Sequence, residues 1–197
     1  MKKTADLYAF NDNLGGQHMT MLYRATQKEL IIGRKLTAEV SGLSAITDTI
    51  RLETEKLLDQ RRPEGRPSRL SSWFACDEHN FAAAYLEAEI SVGRFKAAPN
   101  DKYHLYAVEM NASSRQPMVL FSAIARKLAA GQTNTAGLLA DEYWAPTQNW
   151  SFWEYLWPEL TVVAEEHWPD LINVSHALQA YTNDSEMVTR FLTGLPL

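Results

Sequence analysis

The sequence predicts an α+β fold, because short apolar runs typical of strands alternate with stretches that carry apolar residues at helical spacing. The loops between them are of both hairpin and longer length, which fits an antiparallel or mixed sheet with helices around it. The chain has 197 residues, 46% of them hydrophobic and 22% charged, so it can bury a core and is unlike a disordered chain. With no internal repeat or long linker, we expect a single domain over residues 1–197.

Four elements are predicted in the first part of the chain. Residues 20–26, TMLYRAT, form a short apolar run that indicates a first strand. Residues 38–60 place apolar side chains at spacings of three, four and seven, with charged residues between them, which predicts an amphipathic helix. The stretch 61–69, RRPEGRPSR, contains two prolines and a glycine, so it should be an exposed loop that ends this helix. Residues 70–76, LSSWFAC, are then predicted to be a second strand.

The middle of the chain continues the alternation. Asp77 is a plausible N-cap for a helix through residues 81–89, FAAAYLEAE. Residues 103–110, YHLYAVEM, alternate as a strand does. Residues 118–130 have apolar side chains at helical spacing, and Gly131 is well placed to end that helix.

The last third is rich in tryptophan, which indicates either large buried contacts or a stacking surface. Residues 152–163 are predicted to be a strand that is interrupted at Pro158, since proline is tolerated at a strand edge or bulge. One or two helices should close the chain after Pro169. Five of the six tryptophans lie in this region: Trp144, Trp150, Trp153, Trp157 and Trp168.

Charge and cysteine content restrict the environment of the protein. The net charge is −5, yet residues 24–69 carry ten Lys/Arg against seven Asp/Glu, whereas residues 141–197 carry Arg190 against nine acids. An anionic ligand would therefore favour the first third, although an ordinary mixed surface explains the same pattern. Cys76 is the single cysteine and no Cys/His cluster has metal-ligand spacing, so we expect a reducing cytoplasm and no metal. No continuous apolar segment predicts a signal peptide or a membrane partner.

The usual nucleotide and hydrolase motifs are absent, but three short segments together resemble the mono-ADP-ribosyltransferase superfamily. Residues 22–24, Leu-Tyr-Arg, look like its first-strand "YR" motif. Residues 71–75, Ser-Ser-Trp-Phe-Ala, with the Ala-rich segment 82–85 after them, resemble its second core strand and the helix behind it. Residues 153–160, WEYLWPEL, look like the late strand that begins with the catalytic glutamate. The resemblance implies a split antiparallel or mixed β core and NAD as co-substrate, in bacterial toxin or defence branches related to nucleic-acid-modifying and RNA phosphotransferase-like enzymes.

In this resemblance Glu154 is the catalytic carboxylate. Cleavage of the nicotinamide–ribose bond produces an oxocarbenium-like carbon, which needs a positioned carboxylate and firm clamping more than a strong nucleophile. Arg24 would bind the diphosphate or the adenosine ribose through the forked donors of its guanidinium. The alternative role of Arg24 is a structural ion pair. Ser71 or Ser72 would orient Glu154 and the ribose; only one can face the site on a strand, and we favour Ser71. Other carboxylates available for the same role are Glu109, Glu142 and Glu159.

Aromatic residues near the second segment complete the expected NAD site. Trp73 or Phe74, together with Tyr85, could hold the positively charged nicotinamide ring, although all three could equally be core residues, and for Phe74 the core is the better interpretation. Phe152 stands two residues before Glu154, where toxins that modify arginine or asparagine often have Gln or Glu. This difference argues against modification of those protein side chains. Arg24 stands where poly-ADP-ribose polymerases have His, so mono-transfer is expected.

The expected acceptor of the ADP-ribose is RNA, DNA or a protein. Arg62, Arg66 and Arg69, with Arg61 beside them, would form a basic patch near the site, suited to RNA, DNA or an acidic protein face. The alternative is a solubilising loop. We expect an intracellular toxin or phage-defence effector with a possible cognate antitoxin. The alternative functions are an RNA 2′-phosphotransferase or NAD glycohydrolase on the same fold, or a non-enzymatic partner-binding protein of the antitoxin or immunity kind.

Overall fold

The α+β prediction is confirmed by the computed structural model, which describes residues 20–38, 48–91, 103–111 and 115–194. Seven strands and five α-helices are found within those residues. In chain order they are β1 (Thr20–Thr26), β2 (Lys35–Thr37), α1 (Thr49–Arg61), β3 (Trp73–Cys76), α2 (His79–Ser91), β4 (His104–Met110), β5 (Arg115–Pro117), α3 (Met118–Ala129), α4 (Thr133–Trp144), β6 (Trp153–Trp157), β7 (Glu159–Glu166) and α5 (Leu171–Thr193).

The strands form an antiparallel sheet in the order β2-β7-β4-β1-β3-β6-β5, and the sheet is split near its middle. β1 pairs with β4 along its whole length, from Thr20 opposite Met110 to Thr26 opposite His104. On its other side, β1 meets β3 at one register position, Tyr23 opposite Cys76. The four residues of β3 in turn pair fully with β6. The boundary between β1 and β3 therefore divides the sheet into two halves.

The connection between β6 and β7 shows that the two halves face each other. Pro158 is the one residue between these strands, yet β4, β1 and β3 lie between them in the sheet. In a flat sheet the two strands would be about 19 Å apart, at roughly 4.8 Å per strand, whereas two residue steps span at most about 7 Å. The sheet must therefore curl. An apolar cluster with members from both halves fills the interior of the curl: Leu22, Ala75, Tyr106, Val108, Met110, Leu160 and Val162, with Trp73 and Trp157 against it.

Helices cover the outer faces of the sheet. α1, α3 and α4 pack on the β3-β6-β5 half around a core that includes Leu58, Leu120, Leu139 and Leu156. α2 packs on α5 through small side chains and lies over β1. Trp144, Trp150 and Trp153 are buried in the core of the helical layer, whereas Trp157 and Trp168 are partly buried. Most of the predicted tryptophan density is therefore core packing.

Several predicted elements are confirmed within a few residues. The strand over 20–26, the strand over 103–110 and the helix over 118–130 correspond to β1, β4 and α3. The interruption at Pro158 separates β6 from β7, and one long helix, α5, closes the described chain. The helix predicted over 38–60 is observed from Thr49, where the side chain of Asp48 accepts a hydrogen bond from the Arg51 amide; residues 39–47 lie outside the described residues.

Two local predictions are wrong. The strand predicted over 70–76 begins only at Trp73, because residues Arg69–Ser71 form a 3-10 turn. Ser68 accepts from the Leu70 amide, and the Ser72 hydroxyl donates to the Ser68 carbonyl, so serine side chains stabilise a turn in place of an extended ladder. Asp77 does not cap α2, since the helix begins two residues later, at His79, and the amides of Phe81 and Ala82 donate to the Glu78 carbonyl.

The segment before β6 is fixed by buried carboxylates. Asp184 on α5 is fully buried and accepts from the amides of Ser151, at 3.0 Å, and Phe152, at 2.8 Å. Glu142 on α4 accepts from the amides of Thr147 and Gln148 and from the indole nitrogen of Trp150. These contacts determine where the chain enters β6.

We expect Asp184→Ala to destabilise the protein by about 1–3 kcal/mol, because the amides of Ser151 and Phe152 lose their acceptor. The measurement is urea unfolding followed by circular dichroism, with Glu186→Ala on the exposed side of α5 as the control. Equal stability of the two variants would contradict the role of Asp184 in holding the start of β6.

Candidate active site

The three segments that resemble the superfamily lie on neighbouring strands. Arg24 is on β1, Trp73 and Phe74 begin β3, and Glu154 is on β6, and these strands are adjacent in the order β1-β3-β6. Cys76 stands opposite Tyr23 on one side and Glu154 on the other. Arg24 and Glu154, 130 positions apart in the sequence, are thus separated by one strand. Register partners share a face of the sheet, so Glu154 points to the same face as Cys76 and Tyr23. Arg24 is the neighbour of Tyr23 and therefore starts from the opposite face.

Glu154 is held in a buried ion pair with Arg69. Nη1 of Arg69 donates to Oε1 of Glu154 and to the Tyr143 hydroxyl, and that hydroxyl donates to the same Oε1 at 2.6 Å. Nε of Arg69 donates to Oε2 of Glu55 on α1 at 3.0 Å. The three charged residues are only 3% (Glu154), 5% (Glu55) and 8% (Arg69) exposed. The guanidinium also lies 4.6 Å from the ring centres of both Phe74 and Phe121.

The electrostatics of this cluster keep Arg69 charged. Burial by itself lowers the pKa of the Arg69 guanidinium, but the carboxylates of Glu154 and Glu55 raise that pKa well above its ordinary value. Burial also raises the pKa of the Tyr143 hydroxyl, as does its neighbour Glu154, so Tyr143 remains a donor. Among the described residues, both hydrogen bonds to Glu154 end on Oε1. Oε2 is therefore left for another partner.

Arg24 lies in the split between β1 and β3. Its Nη1 donates to the Phe74 carbonyl at 2.7 Å, and its guanidinium carbon is 4.8 Å from the centre of the Trp73 ring. No carboxylate pairs with Arg24 within the described part of the chain, which disfavours the structural ion pair considered above. Two buried donors lack a described partner, Nε of Arg24 and Nε1 of Trp73. Burial lowers the pKa of Arg24.

Two adjoining cavities surround these groups. The first, of about 430 Å³, is lined by both β1 and β3 and contains the side chains of Arg24, Lys28, Arg51 and Arg69, with Glu89 as the acid among its described lining residues; we name it the basic cavity. The second, of about 480 Å³, is lined by Glu154 and by a set of aromatic rings; we name it the aromatic cavity. Its rings are Tyr85, Phe121, Phe152 and Tyr181. The cavities share a wall formed by Arg69, Tyr85, Glu89, Met118 and Phe121.

The other predicted NAD-site residues divide into two groups. Trp73, Phe74 and Tyr85 line the basic cavity. Ser71 and Ser72 are not among the described lining residues of either cavity; Ser71 lies in the 3-10 turn, and the hydroxyl of Ser72 is engaged by the Ser68 carbonyl at 2.6 Å. The expectation that one serine faces the site from a strand is wrong, because the strand starts after both.

The arginines expected to bind the acceptor do not form one patch. Arg69 is buried in the ion pair with Glu154, so its prediction as an exposed loop residue is wrong: two distant carboxylates compensate its charge. Arg62 donates to Asp59 and to the Arg66 carbonyl, which closes the loop on itself. Neither Arg62 nor Arg66 is found among the described lining residues of the two cavities. Arg61 pairs with Asp141 on α4.

Two of the three competing carboxylates are already engaged elsewhere in the structure. Glu142 accepts four hydrogen bonds from the segment that precedes β6, and Glu159 pairs with Lys35 at 2.8 Å on the β2-β7 side of the sheet. Glu55 and Tyr143, which hold Arg69 and Glu154, have no distinguishing pattern in the sequence. Tyr143 belongs to α4, a helix that was not predicted, and Glu55 was one of several charged residues on an amphipathic helix.

No protein-family model matches the chain, and no curated protein matches it. Within residues 20–38, 48–91, 103–111 and 115–194, no helix has the length and apolarity needed to cross a membrane. The same residues contain no group of three or more His, Cys, Asp or Glu side chains that could hold a metal ion.

We expect Arg69→Ala to destabilise the protein by about 3–5 kcal/mol, because it leaves two buried carboxylates without their cation. Arg62→Ala, which removes a partly exposed pair, should cost less than about 1 kcal/mol. Thermal and urea unfolding of both variants measures the difference. A loss of stability at Arg69 no larger than that at Arg62 would contradict the buried ion pair.

Proposed function

We propose that this protein is an NAD-dependent mono-ADP-ribosyltransferase, which transfers ADP-ribose to an acceptor and releases nicotinamide. The observation that carries the proposal is the adjacency of β1, β3 and β6, the three strands that the resembling segments occupy or adjoin. Arg24 and Glu154 are brought to two cavities that share one wall. The two residues are 130 positions apart in the sequence, yet a single strand, β3, separates β1 from β6 in the sheet.

The basic cavity supports binding of a dinucleotide diphosphate. Of its four cationic side chains, Arg69 is compensated by Glu55 and Glu154, whereas Arg24, Lys28 and Arg51 form no described ion pair. The unpartnered Nε of Arg24 and Nε1 of Trp73 are the kind of buried donors that an anionic ligand would satisfy. The residues present therefore fit the diphosphate. Trp73 and Tyr85 would stack against the cationic nicotinamide ring.

Glu154 is the proposed catalytic carboxylate. Its Oε1 is fixed by Arg69 and Tyr143, and Oε2 remains available to hold a ribose hydroxyl or to accept a proton. A carboxylate fixed in this way needs no reorganisation when positive charge develops on the ribose carbon. Ser71 and Ser72 have no part in the proposed site.

The cellular role is proposed as that of a toxin or phage-defence effector acting on nucleic acid or protein, with a possible antitoxin. Growth of an inducible host tests the role: expression of the wild type should arrest growth, and expression of Glu154→Gln should not.

We expect Glu154→Gln to reduce nicotinamide release from NAD by about 10²-fold or more, because the neutral amide cannot stabilise positive charge or accept a proton. Glu55→Gln is the matched control: it also removes one carboxylate from Arg69, but Glu55 is outside the described lining of both cavities. Its activity should stay within about tenfold of the wild type. The measurement is chromatography of released nicotinamide, with unfolding curves for both variants.

Two results would contradict the proposal in different ways. Full activity of Glu154→Gln would overturn the assignment of the carboxylate. Failure of the wild type to release nicotinamide in the presence of RNA, DNA and protein from a cell lysate would overturn the enzyme class.

We expect Arg24→Lys to raise the KM for NAD by about tenfold or more, with a smaller effect on kcat, because an ammonium cannot reproduce the forked donors of the guanidinium. Steady-state kinetics of nicotinamide release provide both constants. Lys35→Arg, at an exposed ion pair on the edge strand, is the control for a change between the same two residue types. An unchanged KM for Arg24→Lys would remove Arg24 from the NAD site.

A further inference from the structure

Resting on the proposed function, we infer that the aromatic cavity is the acceptor site and that it takes a nucleobase of single-stranded nucleic acid. The inference uses three features of this cavity: the position of Glu154, the aromatic walls and the charge at the opening. It deepens the proposed function, which leaves the acceptor open between nucleic acid and protein.

The position of Glu154 places the acceptor. A direct displacement at a glycosidic carbon brings the nucleophile to the face opposite the leaving group, and the carboxylate that activates the nucleophile lies on the nucleophile's side. The unpaired cations that suit the diphosphate line the basic cavity, whereas Glu154 is among the described residues that line only the aromatic cavity. With the ribose at the shared wall, nicotinamide would leave toward the basic cavity and the acceptor would approach from the aromatic cavity.

The walls of the aromatic cavity suit a planar ring. Phe152 is stacked on Phe81 with 4.4 Å between ring centres and meets Tyr181 edge-on at 5.5 Å, so its ring is fixed. Phe121 and Tyr85 stand in the shared wall. Burial raises the pKa of Tyr85, which therefore keeps its hydroxyl proton. Aromatic rings of this kind stack on nucleobases, and enzymes that modify a base enclose it in such a pocket.

The charge at the opening favours nucleic acid over a basic protein side chain. Arg126 on α3 is exposed and lines the aromatic cavity, and Arg51 on α1 is exposed and lines the basic cavity. Both guanidiniums can contact a phosphate backbone, and both repel an arginine or lysine side chain. The aromatic cavity thus combines stacking surfaces inside with a cation at its edge.

The transfer step balances within these groups. A bond forms between a nitrogen of the nucleobase and the anomeric ribose carbon. The bond from that carbon to the nicotinamide nitrogen breaks, and its electron pair stays on nicotinamide, which leaves neutral. The proton from the attacking N–H passes to Oε2 of Glu154. No oxidant or reductant is required.

The test fills the aromatic cavity and measures transfer against NAD cleavage. Ala125 is among the described residues that line this cavity and not the basic one, and Ala125→Phe places a ring in it. Ser122→Phe, also on the aromatic cavity, is the second variant in case Ala125→Phe fails to fold. Ala130→Phe is the control, because Ala130 follows the same helix, is exposed and is absent from the described lining of both cavities. The probes are NAD labelled in the adenylate and mixed-sequence single-stranded DNA and RNA oligonucleotides.

We expect the wild type and Ala130→Phe to label an oligonucleotide. For the cavity-filling variant, the ratio of transferred label to released nicotinamide should fall by about tenfold or more. An equal loss of transfer and nicotinamide release would overturn the inference, because the cavity would then hold part of NAD. Label found on lysate protein and on neither oligonucleotide would overturn the nucleobase acceptor and leave the transferase standing. Absence of nicotinamide release from the wild type would overturn the transferase itself.

Discussion

The rest of the structure depends on the contacts that the buried Arg69 guanidinium makes. It contacts Glu55 on α1, Tyr143 on α4 and Glu154 on β6, and its own position is set by the turn before β3. Moving one charge of this size out of water costs several kcal/mol, which is offset only when the geometry is good and the remaining donors are satisfied. The planar fork of arginine meets two carboxylates and a phenol at once, which lysine could not do. The helical layer is thereby fixed to the split sheet at one point.

The same interaction positions Glu154 for its proposed catalytic role. Two donors hold Oε1, so the carboxylate group has one orientation, and Glu154 is among the residues that line the aromatic cavity. Glu55 carries part of the charge compensation for Arg69, and this lets Glu154 interact with a further partner without leaving the guanidinium uncompensated. Loss of Arg69 would reduce both the stability of the protein and the proposed activity. Loss of the Glu55 carboxylate weakens the compensation of Arg69 but leaves Glu154 in place. The contact between the Arg69 guanidinium and the Glu154 carboxylate therefore has both a structural role and a proposed chemical role.

Elements with clear apolar periodicity were predictable, and groups whose positions depend on distant partners were not. The strands around Leu22 and Tyr106, the helix around Leu120 and the interruption at Pro158 follow from local pattern and were located to within a few residues. Arg69 was predicted to be exposed because it ends a Pro- and Gly-rich segment. Its burial requires Glu55, Tyr143 and Glu154, which are 14, 74 and 85 residues away in the chain.

The prediction of a strand over residues 70–76 was wrong for the opposite reason. The hydrogen bonds that determine the structure at its start join residues close in the sequence. Hydrogen bonds of Ser68 and Ser72 across four residues replace the expected first half of a strand. The candidate site shows the same division. Arg24, Trp73, Phe74, Tyr85 and Glu154 were proposed from the resemblance and do line the cavities. Lys28, Arg51 and Tyr143 had no sequence signal, since a single basic or aromatic residue on an ordinary strand, loop or helix has no distinguishing pattern.

The split in the sheet explains why a cavity exists beside Arg24. Because Pro158 carries the chain directly from one half of the sheet to the other, the sheet must curl, and β1 and β3 separate beyond their single register pair. Strand separation leaves backbone groups without a ladder partner, which is unfavourable in a protein interior. Nη1 of Arg24 donates to one such group, the Phe74 carbonyl, so a side chain replaces the missing strand contact. That bond uses one end of the guanidinium and leaves Nε unpartnered within the described residues. A residue needed to close the split is thus also the residue best placed to bind an anion in it.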